Sequence, residues 1–248
     1  MMKTRSESIE NEKTTARIIW PDLYKGVLIK RYKRFLADIA LDTGETITAH
    51  CPNSGSMRAC SDSERPVYVS KHDSPKRKLK YTWELIDMPE SLVGVNTGIP
   101  NKLVYRTIQK NGIPELAGYR TIISEIAVGD KTRLDLALYG AKGETCYIEI
   151  KNCTLVENNQ AAFPDAVTTR GQKHLAELIK LKSAGHRSVI FFFVQRMDAL
   201  VFRPCDEIDP EYGRMLREAV NSGVEILVYD VVIDPKTICI GKKLPFVL

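Results

Sequence analysis

The spacing of apolar positions changes along this chain. From about residue 16 to residue 88 they alternate with polar ones, in A-R-I-I-W, G-V-L-I-K-R-Y, F-L-A-D-I-A-L, T-I-T-A-H-C, V-Y-V-S and Y-T-W-E-L-I. Alternation places every second side chain on one face, as in a strand with one side on a core. Turn formers separate the runs, among them D-T-G-E at 42–45. About six short strands in this stretch predict a small closed barrel of the oligonucleotide/oligosaccharide-binding (OB) type. The loop C-P-N-S-G-S-M-R (51–58) is long for a tight hairpin.

After Pro89 the period lengthens. Residues 99–112 predict a helix, with Pro100 in the first turn, Leu103 and Ile108 on the apolar stripe, and Asn111-Gly112 as the stop. R-T-I-I-S-E-I-A-V (120–128), R-L-D-L-A-L-Y-G (133–140) and C-Y-I-E-I-K-N (146–152) return to strand spacing. A long polar loop from residue 154 leads into a helix over about 171–183, with Thr168 or Thr169 as its cap. S-V-I-F-F-F-V (188–194) is apolar throughout, the mark of a strand buried on both faces. A helix over about 210–221 and a strand at 225–232 complete an α/β core with parallel members. The expected division is a disordered tail at 1–13, a barrel at 14–89 and a mixed-sheet α/β domain at 90–248.

The two strands around A-K-G-E-T hold the candidate chemistry. Leu134, Leu136 and Leu138 are expected on one face of the first, and Ile148 and Ile150 on one face of the second. Asp135, Glu149 and Lys151 then project from the opposite faces. A turn centred on Lys142 makes pairing residues sum to 284, which sets Asp135 opposite Glu149 and Arg133 opposite Lys151. Like charges opposed across a sheet are destabilising. A hard divalent cation between the carboxylates, Mg²⁺ or Mn²⁺, would remove the conflict. Lys151 would orient a water or stabilise developing negative charge. A hydrated metal, two carboxylates and a lysine are what phosphodiester hydrolysis needs. An ordinary exposed charged strand face has the same pattern, so the hairpin alone does not decide. Glu125 adds a third carboxylate if the G-D-K loop has three residues, and points away if it has two.

The 248 residues carry a net charge of +5, a sequence pI near 8.8, 44% hydrophobic and 27% charged residues, values of a soluble globular protein of one large or two modest domains. The charge is clustered. Lys76, Arg77, Lys78 and Lys80 lie in K-H-D-S-P-K-R-K-L-K, and Arg31, Lys33 and Arg34 in R-Y-K-R. Such clusters attract polyanions through counterion release, although most short basic runs are solvated loops. The six cysteines form no C-x-x-C pair and no zinc spacing, so free buried thiols are expected. The N-terminal M-M-K-T-R-S-E-S-I-E lacks the apolar stretch of a secretory leader, and no 18-residue apolar run occurs. The expected location is the cytoplasm.

The order helix, three strands, helix, strand, with D…E-x-K on the second and third strands, resembles the restriction-endonuclease-like or PD-(D/E)xK nuclease superfamily. F-P-D-A-V-T-T-R-G-Q-K-H-L, Y-I-E-I-K-N-C-T-L, R-L-D-L-A-L, H-C-P-N-S-G-S-M and V-N-T-G-I-P-N more specifically resemble the sugar fermentation stimulation protein A family, from about residue 20 to the C-terminus. The resemblance implies an OB-like barrel followed by a nuclease-like domain, DNA binding, and a role in the regulation of sugar (maltose) metabolism. It carries Asp135, Glu149 and Lys151 onto the nuclease motif. Asp165 and His174 match the family motif without an assigned role, and His174 is the better candidate for the site. No glutamate of the first helix clearly faces the site, a departure from the common nuclease pattern.

Two functions follow. In one, Asp135 and Glu149 hold the metal of a DNA phosphodiesterase, Lys151 assists, and Arg133, Arg170 and Lys173 hold the DNA backbone. In the other, the same fold is a DNA-binding regulator without turnover. DNA binding is expected to be sequence-tolerant, since no reading helix is visible. A small-ligand protein is a third reading, and a homodimer is compatible with all three.

Overall fold

A computed structural model describes residues 16–129 and 132–248. The predicted tail lies outside the described residues. Strands β2 (Leu23–Tyr32), β3 (Leu36–Leu41), β4 (Thr46–His50), β5 (Pro66–Lys71) and β6 (Tyr81–Met88) run in the order β4-β3-β2-β5-β6, and a β4–β6 pairing closes them into a barrel. Their inward positions, including Leu28, Ile39, Val67 and Trp83, form a separate core. β7 (Ser91–Gly94) extends the sheet as a hairpin with β6.

The run A-R-I-I-W, read above as a barrel strand, leaves the barrel. As β1 (Arg17–Ile19) it pairs antiparallel with the last strand, β16 (Thr237–Lys243). Ala16 and Trp20 bury their side chains in the core of the second sheet, and Trp20 Nε1 donates to the Asp234 carbonyl at 2.9 Å. Alternation along a short strand reports that one face is buried. It carries no information about which distant sheet receives it.

That sheet has seven strands in the order β1-β16-β15-β13-β10-β9-β8, with β8 (Thr121–Val128), β9 (Thr132–Tyr139), β10 (Thr145–Cys153), β13 (Arg187–Val194) and β15 (Glu225–Ile233). β10, β13 and β15 are parallel neighbours, and the other pairings are antiparallel. α1 (Ile99–Gln109) covers one face, with Leu103, Val104 and Ile108 inward. α2 (Thr169–Ser183) and α3 (Pro210–Asn221) cover the other, through Leu175, Leu178, Tyr212 and Leu216. β13 is buried on both sides as its apolar run predicted, with Phe191 and Phe193 in one core and Ile190 and Phe192 in the other.

Helix ends follow local chemistry. Thr168 Oγ1 accepts from Gly171 N at 3.0 Å and caps α2. α1 ends at Gln109 with Lys110 as its C-cap, and Asn111 at φ 55° turns the chain away, as the Asn111-Gly112 stop predicted. The polar loop after residue 154 is not all loop. β11 (Leu155–Glu157) and β12 (Gln160–Phe163) pair with each other, and β12 with β14 (Val201–Pro204), in a small third sheet. Its strands are too short to show a period, and the parallel partner lies some forty residues away.

Candidate active site

β9 and β10 pair as the turn length dictates. Thr145↔Tyr139, Cys146↔Leu138, Tyr147↔Ala137 and Ile148↔Leu136 all keep the predicted register, and the ladder ends there. The next step is Asp135 opposite Glu149. There the backbone N–H of Ile150 donates to Asp135 Oδ2 at 2.7 Å. The carboxylate thus replaces a strand carbonyl and occupies the gap where the strands part.

The expected sharing of faces holds only in part. Leu136, Leu138, Ile148 and Ile150 lie in the α1-side core, but Leu134 lies in the core under α2 and α3. β8 changes sides at the same level, since Ile122 packs on the first core and Ile126 on the second. The crossing is centred on Glu125 and Asp135. They fall between the pairs Ser124↔Leu136 and Ile126↔Leu134, and Glu125 has φ +57°. A left-handed residue inside a strand turns the following side chains away from strict alternation. The pair Val128↔Thr132 leaves three residues for the G-D-K loop, so Glu125 is in register with Asp135. Both line a cleft of about 360 Å³ on the α1 side.

At this crossing Asp135 is held by α1 and by the neighbouring strand. Asn101 of α1 donates through Nδ2 to Asp135 Oδ1 at 2.7 Å. Asn101 was missed among the sequence candidates, although it ends the motif V-N-T-G-I-P-N. It is the residue of the first helix that reaches the site, where a glutamate was sought. On the α2 face, Glu149 is 3% exposed. Lys151 Nζ donates to Glu149 Oε1 at 2.6 Å, and His174 Nδ1 contacts the same oxygen. Arg170 Nε lies 3.4 Å from His174 Nε2, and Lys151 Nζ 3.1 Å from its Nδ1.

The electrostatics are asymmetric. Burial, and then the Glu149 charge, push the Asp135 carboxyl up to about 6, against the pull of Ile150 N–H, Asn101 and Lys151. Burial also pushes Glu149 up, but the His174 hydrogen bond and the Lys151 charge outweigh it and hold that carboxyl below its ordinary value. Glu149 Oε2 is nevertheless buried without a hydrogen-bond partner, as is the Tyr212 hydroxyl. Burial and the Glu149 charge raise the Tyr212 phenol well above its usual range. One orphaned carboxylate oxygen, beside a second carboxylate destabilised by the first, suits a cation. Among the described residues no three His, Cys, Asp or Glu side chains gather closely enough to hold a metal unaided. Asp135 and Glu149 would need water or substrate oxygens to complete the shell.

Arg133, Arg170, Lys173 and His174 together line a cleft of about 610 Å³ at the start of α2. Lys76, Arg77, Lys78 and Lys80 are exposed on the β5–β6 loop and do not line that cleft. Lys33 and Arg34 are exposed in the β2–β3 turn. Arg31 is not available in the same way. Its guanidinium donates to the carbonyls of Arg34, Ser56, Asn53 and Gly55 and pins the 51–58 loop. Asp165 grips that loop from the second domain. Its Oδ2 accepts from Met57 N at 3.0 Å and its carbonyl from Ser56 Oγ at 2.7 Å. A Cβ on Gly55 would stand 2.8 Å from Asp165 Oδ2, which explains the glycine. H-C-P-N-S-G-S-M and F-P-D-A-V thus meet as a clasp between barrel and α/β domain. All six cysteines are free and buried, as their spacing predicted.

Comparison with known proteins agrees with this architecture. Residues 29–95 match the SfsA N-terminal OB domain, and residues 98–237 match the Sugar fermentation stimulation protein RE domain. A Sugar fermentation stimulation protein homolog of Geotalea uraniireducens is 53% identical over 222 residues, covering 90% of this chain and 96% of that protein. The homolog of Geobacter sulfurreducens is 51% identical over 223 residues, covering 90% and 95%. A solved structure of Pyrococcus furiosus SfsA in complex with Ca²⁺ superposes with a TM-score of 0.85 at 27% identity, over 93% of this chain and 98% of that one.

Proposed function

We propose a metal-dependent DNA phosphodiesterase function for this chain, which belongs to the sugar fermentation stimulation protein family. The observation that carries the proposal is the unfinished Glu149 carboxylate, with its free oxygen beside an Asp135 whose own ionisation it opposes. Asp135 and Glu149 would hold Mg²⁺ or Mn²⁺. When bound, such an ion supplies positive charge to a phosphoryl oxygen and acidifies a water. The Ca²⁺ of the solved relative is likewise a hard cation that takes oxygen ligands.

The protein's own groups have separable tasks. Lys151, held by Glu149, presents an ammonium to the negative charge that grows on the phosphate. His174 fixes the other side of the same carboxylate oxygen, and Arg170 fixes His174. Asn101 and Ile150 N–H each hold one oxygen of Asp135. Arg133, Arg170 and Lys173 form a cationic wall for the phosphodiester backbone.

A second reading is a DNA-binding regulator on the same fold, which also suits the implied tie to sugar (maltose) metabolism. The specific support is that both Asp135 oxygens already accept protein hydrogen bonds, so the site is partly satisfied without an ion. Plasmid nicking and thermal melting, each with Mg²⁺, Mn²⁺ and a chelator, separate the two. Nicking with metal-raised melting is expected. Intact plasmid together with melting indifferent to both metals would sink the phosphodiesterase and leave the regulator.

A further inference from the structure

The 360 Å³ cleft beside Asp135 has a neighbour, a third cleft of about 530 Å³ that reaches the barrel. The first is lined by Asn101, Glu125 and Asp135, and the second by Arg17, His72, Glu84 and Asn96. Lys102 and Arg106 of α1 line both. His72 Nε2 in turn lies 3.1 Å from Thr82 Oγ1, which accepts from Arg77 of the basic β5–β6 loop. Lys102 and Arg106 on α1, Arg17, and Arg77 beyond His72 and Thr82 thus lie along a path from Asp135 to the β5–β6 loop, with Glu125 and Glu84 also on its walls.

Lys102 and Arg106 have no evident structural task. Both are exposed, and among the described residues neither forms an ion pair or a side-chain hydrogen bond. They are four apart on one helix, where like charges repel and weaken the helix. Lys102 also follows directly on a first turn that holds no acidic residue, at the end where the helix dipole disfavours a cation. Arg106, in the last turn, is favoured by the same dipole, so the cost falls on Lys102 and on the repulsion between the two. Two cations that are unpaired among the described residues and wall both clefts suit an external anion. One helical turn separates them by about 6 Å along the axis, so they can meet successive negative charges of one chain.

We propose that Lys102 and Arg106 bind the DNA phosphodiester backbone on the α1 side of the Asp135–Glu149 site and lead it to the basic β5–β6 loop of the barrel. DNA would thus be held on both sides of the site, by the Arg133–Arg170–Lys173 wall on one side and by α1 on the other. The inference rests on the DNA-binding part of the function proposed above and is independent of whether the bond is cut.

The test is fluorescence anisotropy of a labelled DNA duplex across a salt titration, in chelator so that nothing is cut. Lys102→Gln/Arg106→Gln is expected to bind about tenfold more weakly and to flatten the log–log salt dependence by about two, one for each lost phosphate contact. Lys102→Arg/Arg106→Lys is expected to keep the parent's slope, which ties the effect to charge. Lys142→Gln/Lys180→Gln removes the same charge from residues that line neither cleft and is expected to keep the slope as well. If the parent binds DNA and Lys102→Gln/Arg106→Gln matches it in affinity and slope, this inference is overturned while DNA binding stands. If the control loses slope equally, only net charge matters and the inference is overturned. A parent that does not bind DNA overturns both readings. The substituted positions are exposed, and unchanged melting of each variant confirms that the fold is not what was altered.

Discussion

Two buried glutamates, one at the seam of the barrel and one in the α/β domain, are completed in opposite ways. Glu84 on β6 is 5% exposed, and each oxygen has one neutral donor at 2.7 Å, Ser70 Oγ on Oε1 and Asn96 Nδ2 on Oε2. It ties β5, β6 and the segment before α1 together. Glu149 is 3% exposed, yet Oε1 is crowded by Lys151 and His174 while Oε2 has no partner. A buried carboxylate used for architecture is satisfied on all sides, because an unpaired buried acceptor costs about 1–3 kcal/mol. One left open at that cost, with a second carboxylate beside it, is arranged for something that arrives later.

The contrast can be broken in activity, in stability and in pH dependence. The largest effects are expected on catalysis. Lys151→Ala and Glu149→Gln should lower metal-dependent plasmid nicking by about a hundredfold or more, while Glu84→Gln leaves it near the parent rate. Equal losses in all three would dissolve the distinction between the two glutamates. In stability the order reverses. Glu84→Ala strands Ser70 and Asn96 and is expected to cost about 2–4 kcal/mol by denaturant unfolding, with or without metal.

Metal linkage sharpens the comparison. Mg²⁺ or Mn²⁺ at a hundred times its Kd should stabilise the parent by about 2.7 kcal/mol, read as a rise in melting temperature. Asp135→Asn should lose that rise and be neutral or slightly stabilising in chelator, because it removes one of two repelling carboxylates. A metal response that survives Asp135→Asn would place the ion elsewhere.

The smallest effect is a pH slope. Asp135 and Asp230 are both raised to about 6, in each case chiefly by burial. An acid raised in the folded state holds its proton more tightly there than in the unfolded chain. Its stabilising contribution is full below the unfolded value, about 3.9, and is lost as pH rises through about 6. The metal-free protein should therefore gain on the order of 1 kcal/mol as pH falls from about 7 to 5. Asp135→Asn should lose part of that gain, and identical melting-versus-pH curves for the two would refute the assignment. Glu149 has the opposite sign, since its lowered carboxyl supports the fold at higher pH and ceases to do so below its folded value.

Much of this molecule is set locally and is legible before any fold is known. The period of two in 133–151 and the length of the A-K-G-E-T turn place Asp135 level with Glu149, because a tight hairpin leaves its strands one register. Capping by Thr168 and the doubly buried β13 follow from neighbours in sequence in the same way. Tertiary packing decided what depends on distant partners. It sent Ala16–Trp20 to the far sheet, brought Asn101 to Asp135 and Asp165 to the 51–58 loop, and turned Arg31 inward onto carbonyls. It also crossed β8 and β9 over at Glu125 and Asp135, so that Asp135 meets α1 as well as the β10 backbone. Periodicity reports that a side chain is buried or exposed. The partner it meets there is fixed by contacts between residues far apart in the chain, and those energies appear only when the sheets and helices close on one another.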